Sequence, residues 1–576
     1  MKPGNLLNNQ YIFPRLFLSL CLVLLPPVVS QADEPTDWKK QNIPAQPSSL
    51  PVMALIESER VPDHLTLEQK GTRIGEIIIT RGNVFDPNKQ EEDVFLFRLA
   101  NSFHAVTRES IIQNQLLFHP GDQYSHRVLM ESERFLRTNG YLVDAEIKPV
   151  RYHEKDNIVD IEVKTKDAWT FTGNISFGRE GGKNSFSAEV AESNLLGFGK
   201  DLQLRFDSNV DRNETQIRYF DPLLFGTRNQ LALVFADKSD GGTKFFSLER
   251  PFYSLDTRWA MGIAAGTDNQ TDSLYEFGEI INQFGHNSEN AEAYWGFSQG
   301  YVDNLVYRWR IGYAKKLDQF SPDEDFINYP VPDDRDFRYP FIAFNLYEDK
   351  IIKTQRIRLI RRTEDLNLGN DVRVKLGWSD EKFGASNEGL VFEALANMAF
   401  KPTVDQLILF TPETSGNIDD GTAHNTKLGF TSRYYLPNIR NQIFYMALSA
   451  EYVKNPYLDE QVLLGGDSGL RGYPLRYQWG DRRFLFTVEQ RFYSSWNLLE
   501  LANVGGLIFF DAGRAWFPGI EKTPRTDILK DVGFGMRLTS TRSSGAVVLH
   551  IDLAFPLDGD DSIDNMQLLI STHESF

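Results

Sequence analysis

The sequence predicts a mainly β protein, a transmembrane antiparallel β-barrel preceded by a small α+β domain. Three observations predict it. From Ala168 to the C-terminus, short segments alternate apolar and polar residues with a period of two, separated by polar turns. The one apolar run near the N-terminus, Leu16 to Leu25, is too short to cross a bilayer as a helix, and no later run reaches the required length. Between residues 73 and 166 the periodicity is different, with helical spacing set between strand patterns.

The N-terminal segment reads as an export signal. Lys2 and Arg15 precede the apolar run, and Ser30-Gln31-Ala32 supplies the small-x-small site, so cleavage is expected before Asp33. Lipoprotein processing at Cys21 is disfavoured because Leu20 stands where a small residue is needed. Cys21 is the only cysteine, which rules out an intrachain disulfide and a thiolate metal site. No metal-ligand spacing or phosphate-binding loop is found, and no cofactor is expected. The chain has 61 basic and 79 acidic residues, a net charge of −18, which argues against a nucleic-acid partner. Its 42 Phe, 22 Tyr and 9 Trp suit strands and interfacial girdles.

Residues 33–71, rich in Pro, Gln, Ser and Glu, read as a linker, within which Leu50 to Ile56 forms an apolar patch suited to docking. Residues 72–167 form the small domain. A strand is expected at Arg73–Thr80, helices at Val106–Phe118 and Ser125–Asn139, and strands at Val143–Tyr152 and Ile158–Lys166. The β-α-α-β-β order, with Phe135-Leu-Arg-Thr-Asn-Gly-Tyr141, resembles a POTRA domain, the periplasmic module of outer-membrane assembly proteins.

Residues 168–576 carry the barrel. Leu305, Tyr307, Trp309, Ile311 and Tyr313 share one face, and Val306, Arg308 and Arg310 the other. Val547 to Phe555 and Phe484 to Arg491 repeat the pattern. About ten residues of strict alternation, with charge on the second face, mark a strand between lipid and lumen. About twenty such runs lie between Trp169 and Phe576. The polar stretches Asp318–Asp336 and Thr411–Asn425 read as extracellular loops.

One stretch stands apart, Leu463-Leu-Gly-Gly-Asp-Ser-Gly-Leu-Arg-Gly-Tyr-Pro474, followed by five strand patterns. A guanidinium carried into a lumen needs carboxylate partners. Glu489 shares the charged face with Thr487 and Arg491, and Asp511 shares a face with Gly505 and Gly513, small residues that leave room for an inserted loop. Arg471 is therefore expected to pair with Asp511, Glu489 or both. Gly466-Asp-Ser-Gly469 also matches the nucleophile segment of serine proteases, but no histidine segment accompanies it, so Ser468 reads as loop geometry. His550 and Asp552, on one face of a strand, read as polar lumen residues.

Leu470-Arg-Gly-Tyr473 after Gly465-Gly466, Phe509-Phe-Asp-Ala-Gly513 and Val488-Glu-Gln-Arg491 resemble motifs of the BamA/TamA outer-membrane assembly superfamily, which includes the two-partner secretion transporters. The resemblance covers about residues 73–576 and implies a sixteen-stranded barrel in the outer membrane with its POTRA-like domain in the periplasm. It further implies that Arg471, Gly472 and Tyr473 lie on the sixth extracellular loop, dip into the lumen, and lock against Glu489, Asp511 and Gly513. It gives a seam between first and last strands, with Gly173, Ile175 and Ile570 at its edges, as a lateral gate, and the aromatic terminus Phe576 as an assembly signal, from which Glu574 departs. The implied partners are the outer-membrane bilayer, unfolded outer-membrane or secreted protein clients, and periplasmic accessory proteins. The implied function is nucleotide-independent insertion or translocation of clients and not an enzymatic reaction. The alternatives are a dedicated two-partner transporter, a lipid-handling barrel or barrel enzyme, and a passive pore.

Overall fold

The computed structural model describes residues 61–85, 95–357, 360, 364–498, 502–519, 523–540 and 548–573. The signal segment 1–32, the apolar patch 50–56 and Phe576 lie outside the described residues.

The N-terminal unit contains α1 (His64–Gln69), β1 (Arg73–Gly82), α2 (Phe95–Phe103), α3 (Glu109–Gln115), α4 (His126–Arg137), β2 (Leu142–His153) and β3 (Ile158–Asp167). The sheet order is β1-β3-β2, with β1 and β3 parallel and β2 antiparallel to β3. Apolar alternation in β3 turns Val159, Ile161 and Val163 inward, against Ile112, Leu129 and Leu136 of α3 and α4. Three details differ from the sequence reading. The segment 61–71, assigned there to the linker, holds α1, whose N-cap Asp63 accepts from the Thr66 amide at 3.0 Å and whose Leu67 is fully buried in the core. The first expected helix is shorter, ending where Leu116 adopts an extended backbone. The helix α2 was not foreseen.

Beyond Ala168, twenty strands close into one antiparallel barrel, from Phe171–Glu180 round to Gln567–His573. This corrects the sixteen strands implied by resemblance and agrees with the number of alternating runs. Trp295, Phe297, Tyr307, Trp309, Ile311 and Tyr313 face outward and are exposed, while Val306 is buried inward. Such an apolar exterior is what a barrel presents to lipid. Several strands run well past bilayer height, Glu279–Val302 having 24 residues and its neighbours 18 each. The polar stretch at 411–425 is consequently not a loop. It belongs to strands Leu407–Asp419 and Thr422–Pro437, which extend beyond the apolar band, where alternation of polarity is no longer required. The stretch at 318–336 likewise contributes to two strands around a shorter loop at 323–334.

The small unit packs on the turns at the barrel's near end. Leu223 of one turn is buried in the small unit's core, and the Arg108 guanidinium lies 3.8 Å from the centre of the Phe198 ring. Gly197 comes so close that a Cβ would sit 2.7 Å from the Val106 carbonyl oxygen, and its own carbonyl accepts from the Arg108 amide. From α4, Glu131 accepts from the Leu255 amide at 2.7 Å, and burial at this contact raises its carboxyl above the usual carboxylate range.

Candidate functional site

Fifteen barrel strands precede the glycine-rich loop and five follow it, so residues 455–481 form the eighth connection at the far end, not the sixth. The loop folds back into the lumen. Leu464, Leu470, Tyr473 and Tyr477 pack there with Ala515 and Leu529. A Cβ on Gly513 would lie 3.0 Å from Leu464 Cδ2 and 2.9 Å from the Phe484 carbonyl oxygen, so the loop occupies the space this glycine leaves.

Arg471 meets both expected carboxylates. Its Nε and Nη2 donate to Asp511 at 2.7 and 3.0 Å, and Nη1 lies 3.1 Å from Glu489 Oε1. The guanidinium stacks 3.5 Å from the centre of the Phe509 ring. Asp511 is fully buried and Glu489 nearly so. Burial opposes the Arg471 charge, but Asp511 and Glu489 outweigh it and hold the group more firmly protonated than a free arginine. Asp531, which was not foreseen, and Asp552, expected only as a polar lumen residue, complete the site. The Gly472 amide donates to Asp531 at 2.8 Å, and a Cβ on Gly472 would stand 2.7 Å from Asp531 Cβ. Arg537 forms a two-point pair with Asp552, and Arg491 Nε donates to Glu489 at 2.8 Å. The Tyr473 hydroxyl lies within hydrogen-bond distance of the carbonyls of Lys530 and Asp558, tying the loop to two strand ends. Parity along the strands could have found Asp531 and Asp552. Asp531 stands outside the two acidic motifs that point to Glu489 and Asp511, and Asp552 is placed on the lumen face in the sequence without being paired with Arg471.

Ser468 serves the loop's own geometry. Its hydroxyl accepts from the Gly465 amide at 2.7 Å and also lies 3.2 Å from the Gly465 carbonyl oxygen.

The loop also clasps the opposite rim. Arg476 grips Asp211 through two bonds of 2.7 and 2.6 Å, and Gln461 exchanges two bonds with the Tyr275 backbone. Asp459 pairs with Arg335 through two bonds of 2.9 Å. Behind Arg335, Asp318 contacts His286 Nε2 at 3.1 Å, and Asp272 contacts Nδ1 at 2.7 Å. His286 lies seven residues beyond Ala293, which pairs with the outward Tyr313. That places it roughly 20 Å along the strand above the apolar band. Burial works against its charged form, but hydrogen bonds to Asp272 and Asp318 more than offset this and lift its pKa to about 9. The raised value means that its stabilising contribution is complete below about pH 6.5 and is lost as pH rises through about 9. Protease cleavage within residues 455–481 is expected to accelerate between pH 7 and pH 10 in the parent chain and to lose that dependence in His286→Ala. Equal acceleration in both would disprove the assignment.

At the seam, strands Phe171–Glu180 and Gln567–His573 share a single register pair among the described residues, Arg179 with Ile570. The next pair of strands, Phe171–Glu180 with Lys183–Glu192, is matched along ten positions. Ile175 is exposed on the outer face, and Gly173 has open space around its missing Cβ. Ile175 and Ile570 are thus on the two seam strands but are not opposite one another.

No family model matches the chain. The outer membrane transporter CdiB of Dickeya dadantii (strain 3937) is 22% identical over 242 residues, covering 40% of this chain and 41% of the relative. The chain therefore matches less than half of that relative's length. Its name falls within the superfamily that the motifs resemble, and the resemblance stands at that level. Two solved structures align over most of the chain. BamA from Haemophilus ducreyi lacking POTRA domains 1-3 is 14% identical, with TM-score 0.39 and coverage of 86% of this chain and 85% of that one. CdiB from Escherichia coli is 9% identical, with TM-score 0.45 and coverage of 87% and 76%.

Proposed function

We propose that the protein is an outer-membrane barrel that inserts or translocates protein clients without nucleotide. The observation that carries this reading is the seam, which among the described residues shares one register pair in a barrel otherwise paired along long strands. A seam this short beside lipid can part and offer its strand edges as templates for an incoming strand. The loop carrying Arg471, Gly472 and Tyr473 braces the adjoining wall, so its lock against Glu489 and Asp511 sets how easily that wall moves.

The N-terminal unit, 72–167 with α1 added, acts in this reading as a POTRA-like periplasmic domain. Its strand β2 lies at the sheet edge and carries Pro149, as an edge strand tolerates. Client capture there would use strand addition, and periplasmic accessory proteins would bind nearby. Residues 1–32 would be removed as the signal peptide, and Phe576 would serve as the barrel's own assembly signal.

A dedicated two-partner-type transporter is the second reading, favoured by the name of the sequence relative, outer membrane transporter CdiB. Depletion of the protein, followed by proteomics of the outer membrane and of the secreted fraction, separates the two. Loss of many outer-membrane proteins is expected for an assembly factor, and loss of one secreted protein for a dedicated transporter. Unchanged proteomes would overturn both.

A further inference from the structure

The twenty-stranded lumen is entered from the near end as well. Between barrel strands Arg335–Glu348 and Asp371–Ser379 the chain makes a hairpin, Ile351–Thr354 paired with Glu364–Asn367, on the side where the small unit docks. An ordinary turn at this end is far shorter: Asp303 and Asn304 alone join the preceding two strands. The hairpin does not hang free. Ile357 and Ile360 are buried in one cluster with Tyr435, Tyr445, Tyr493 and Leu507 of the barrel's inner wall. The Tyr493 hydroxyl donates to the Arg356 carbonyl at 2.9 Å, and the Asn503 amide to the Ile360 carbonyl at 3.3 Å.

Phe509 belongs to the same cluster, and it is the ring on which Arg471 stacks. The inward hairpin and the loop from the opposite end are therefore linked through one buried cluster.

The base of the hairpin is gripped by α4. Arg137 donates through Nη2 and Nε to Asp365 at 2.8 and 3.2 Å. Lys353 donates to Glu133 at 3.0 Å, and Arg134 reaches Asp349 at 3.4 Å. These pairs bridge two parts of the chain more than two hundred residues apart, and the same Glu133 and Arg137 also bond each other along the helix. The grip is charged and partly exposed, the kind of contact that can part and re-form, whereas Ile357 and Ile360 are apolar and buried.

We propose that the described residues of this hairpin, 351–357, 360 and 364–367, belong to a plug closing the lumen from the small unit's side, and that α4 is the clamp that holds it in. Moving α4 off the barrel removes the charged grip, and the hairpin then leaves the inner wall. Ion passage tests this without reference to any client. The full mature chain is placed in planar bilayers and its conductance compared with three variants. Replacing residues 353–365 by a short Gly-Ser turn is expected to raise mean conductance at least tenfold. Arg137→Glu is expected to raise the open fraction several-fold, and Arg137→Glu combined with Asp365→Arg to bring it back towards the parent. Retention of a compact barrel on unheated SDS gels checks that each variant has folded. Parent-like conductance in the folded shortened variant would overturn the plug. Opening by Arg137→Glu that Asp365→Arg fails to reverse, or no opening at all, would overturn the clamp. Client handling is scored separately, so its failure bears on the proposed function and leaves these outcomes readable.

Discussion

Arg471→Ala is expected to release the lumen loop and to abolish client handling. In the parent, Arg471 neutralises a pocket containing Glu489, Asp511, Asp531 and Asp552, in which the other guanidinium groups near these carboxylates are Arg491 and Arg537. Removing one partner of a buried ion pair costs about 3–5 kcal/mol, because carboxylates remain without a counter-charge. The loop has further anchors in Tyr473, Arg476 and Asp459, so the barrel should still close while the segment around 471 detaches. Arg471→Lys should recover only part of the effect, since an ammonium cannot make the two-point bond to Asp511 while stacking on Phe509. Protease access to residues 465–475 and client handling, measured side by side, check this. Wild-type protection and activity in Arg471→Ala would remove the lock from the mechanism.

The second large effect is expected at the seam. Arg179→Cys with Ile570→Cys places two thiols on directly opposed antiparallel residues. Opposed Cα atoms in such a pair are about 4.5–5.5 Å apart, within the range a disulfide spans. The only natural cysteine, Cys21, falls in the expected signal peptide, so no other thiol competes in the mature chain. Oxidation should stop client handling and reduction should restore it. Full activity in the cross-linked barrel would show that the seam need not open. Ile175→Cys with Ile570→Cys is the control expected not to cross-link. Ile175 lies four positions from Arg179, about 13 Å along the strand, beyond disulfide reach.

Much of this architecture could be read from residue patterns. Alternation gave the lumen face of Glu489 and Asp511, because side-chain parity follows directly from the strand's period of two. The same parity says nothing about register, which is why Ile175 was set against Ile570 where Arg179 stands. The run count gave the strand number, whereas resemblance drew it down to sixteen. The polar stretch at 411–425 failed as a loop assignment because strands that leave the bilayer are wet on both faces. Helix α1 escaped notice because six residues with one buried anchor, Leu67, carry too little periodicity to register. The hairpin at 351–367 was invisible for another reason. Ile357 and Ile360 are buried only by the wall they meet, and that wall comes from strands roughly fifty to two hundred residues further along the chain.

The two segments that enter from opposite ends rest on the same two strands, the hairpin near Tyr493 and Leu507 and the loop at Glu489 and Asp511. A barrel this wide therefore keeps small solutes from equilibrating only while both segments are seated, and a shift of the wall they share is felt by both.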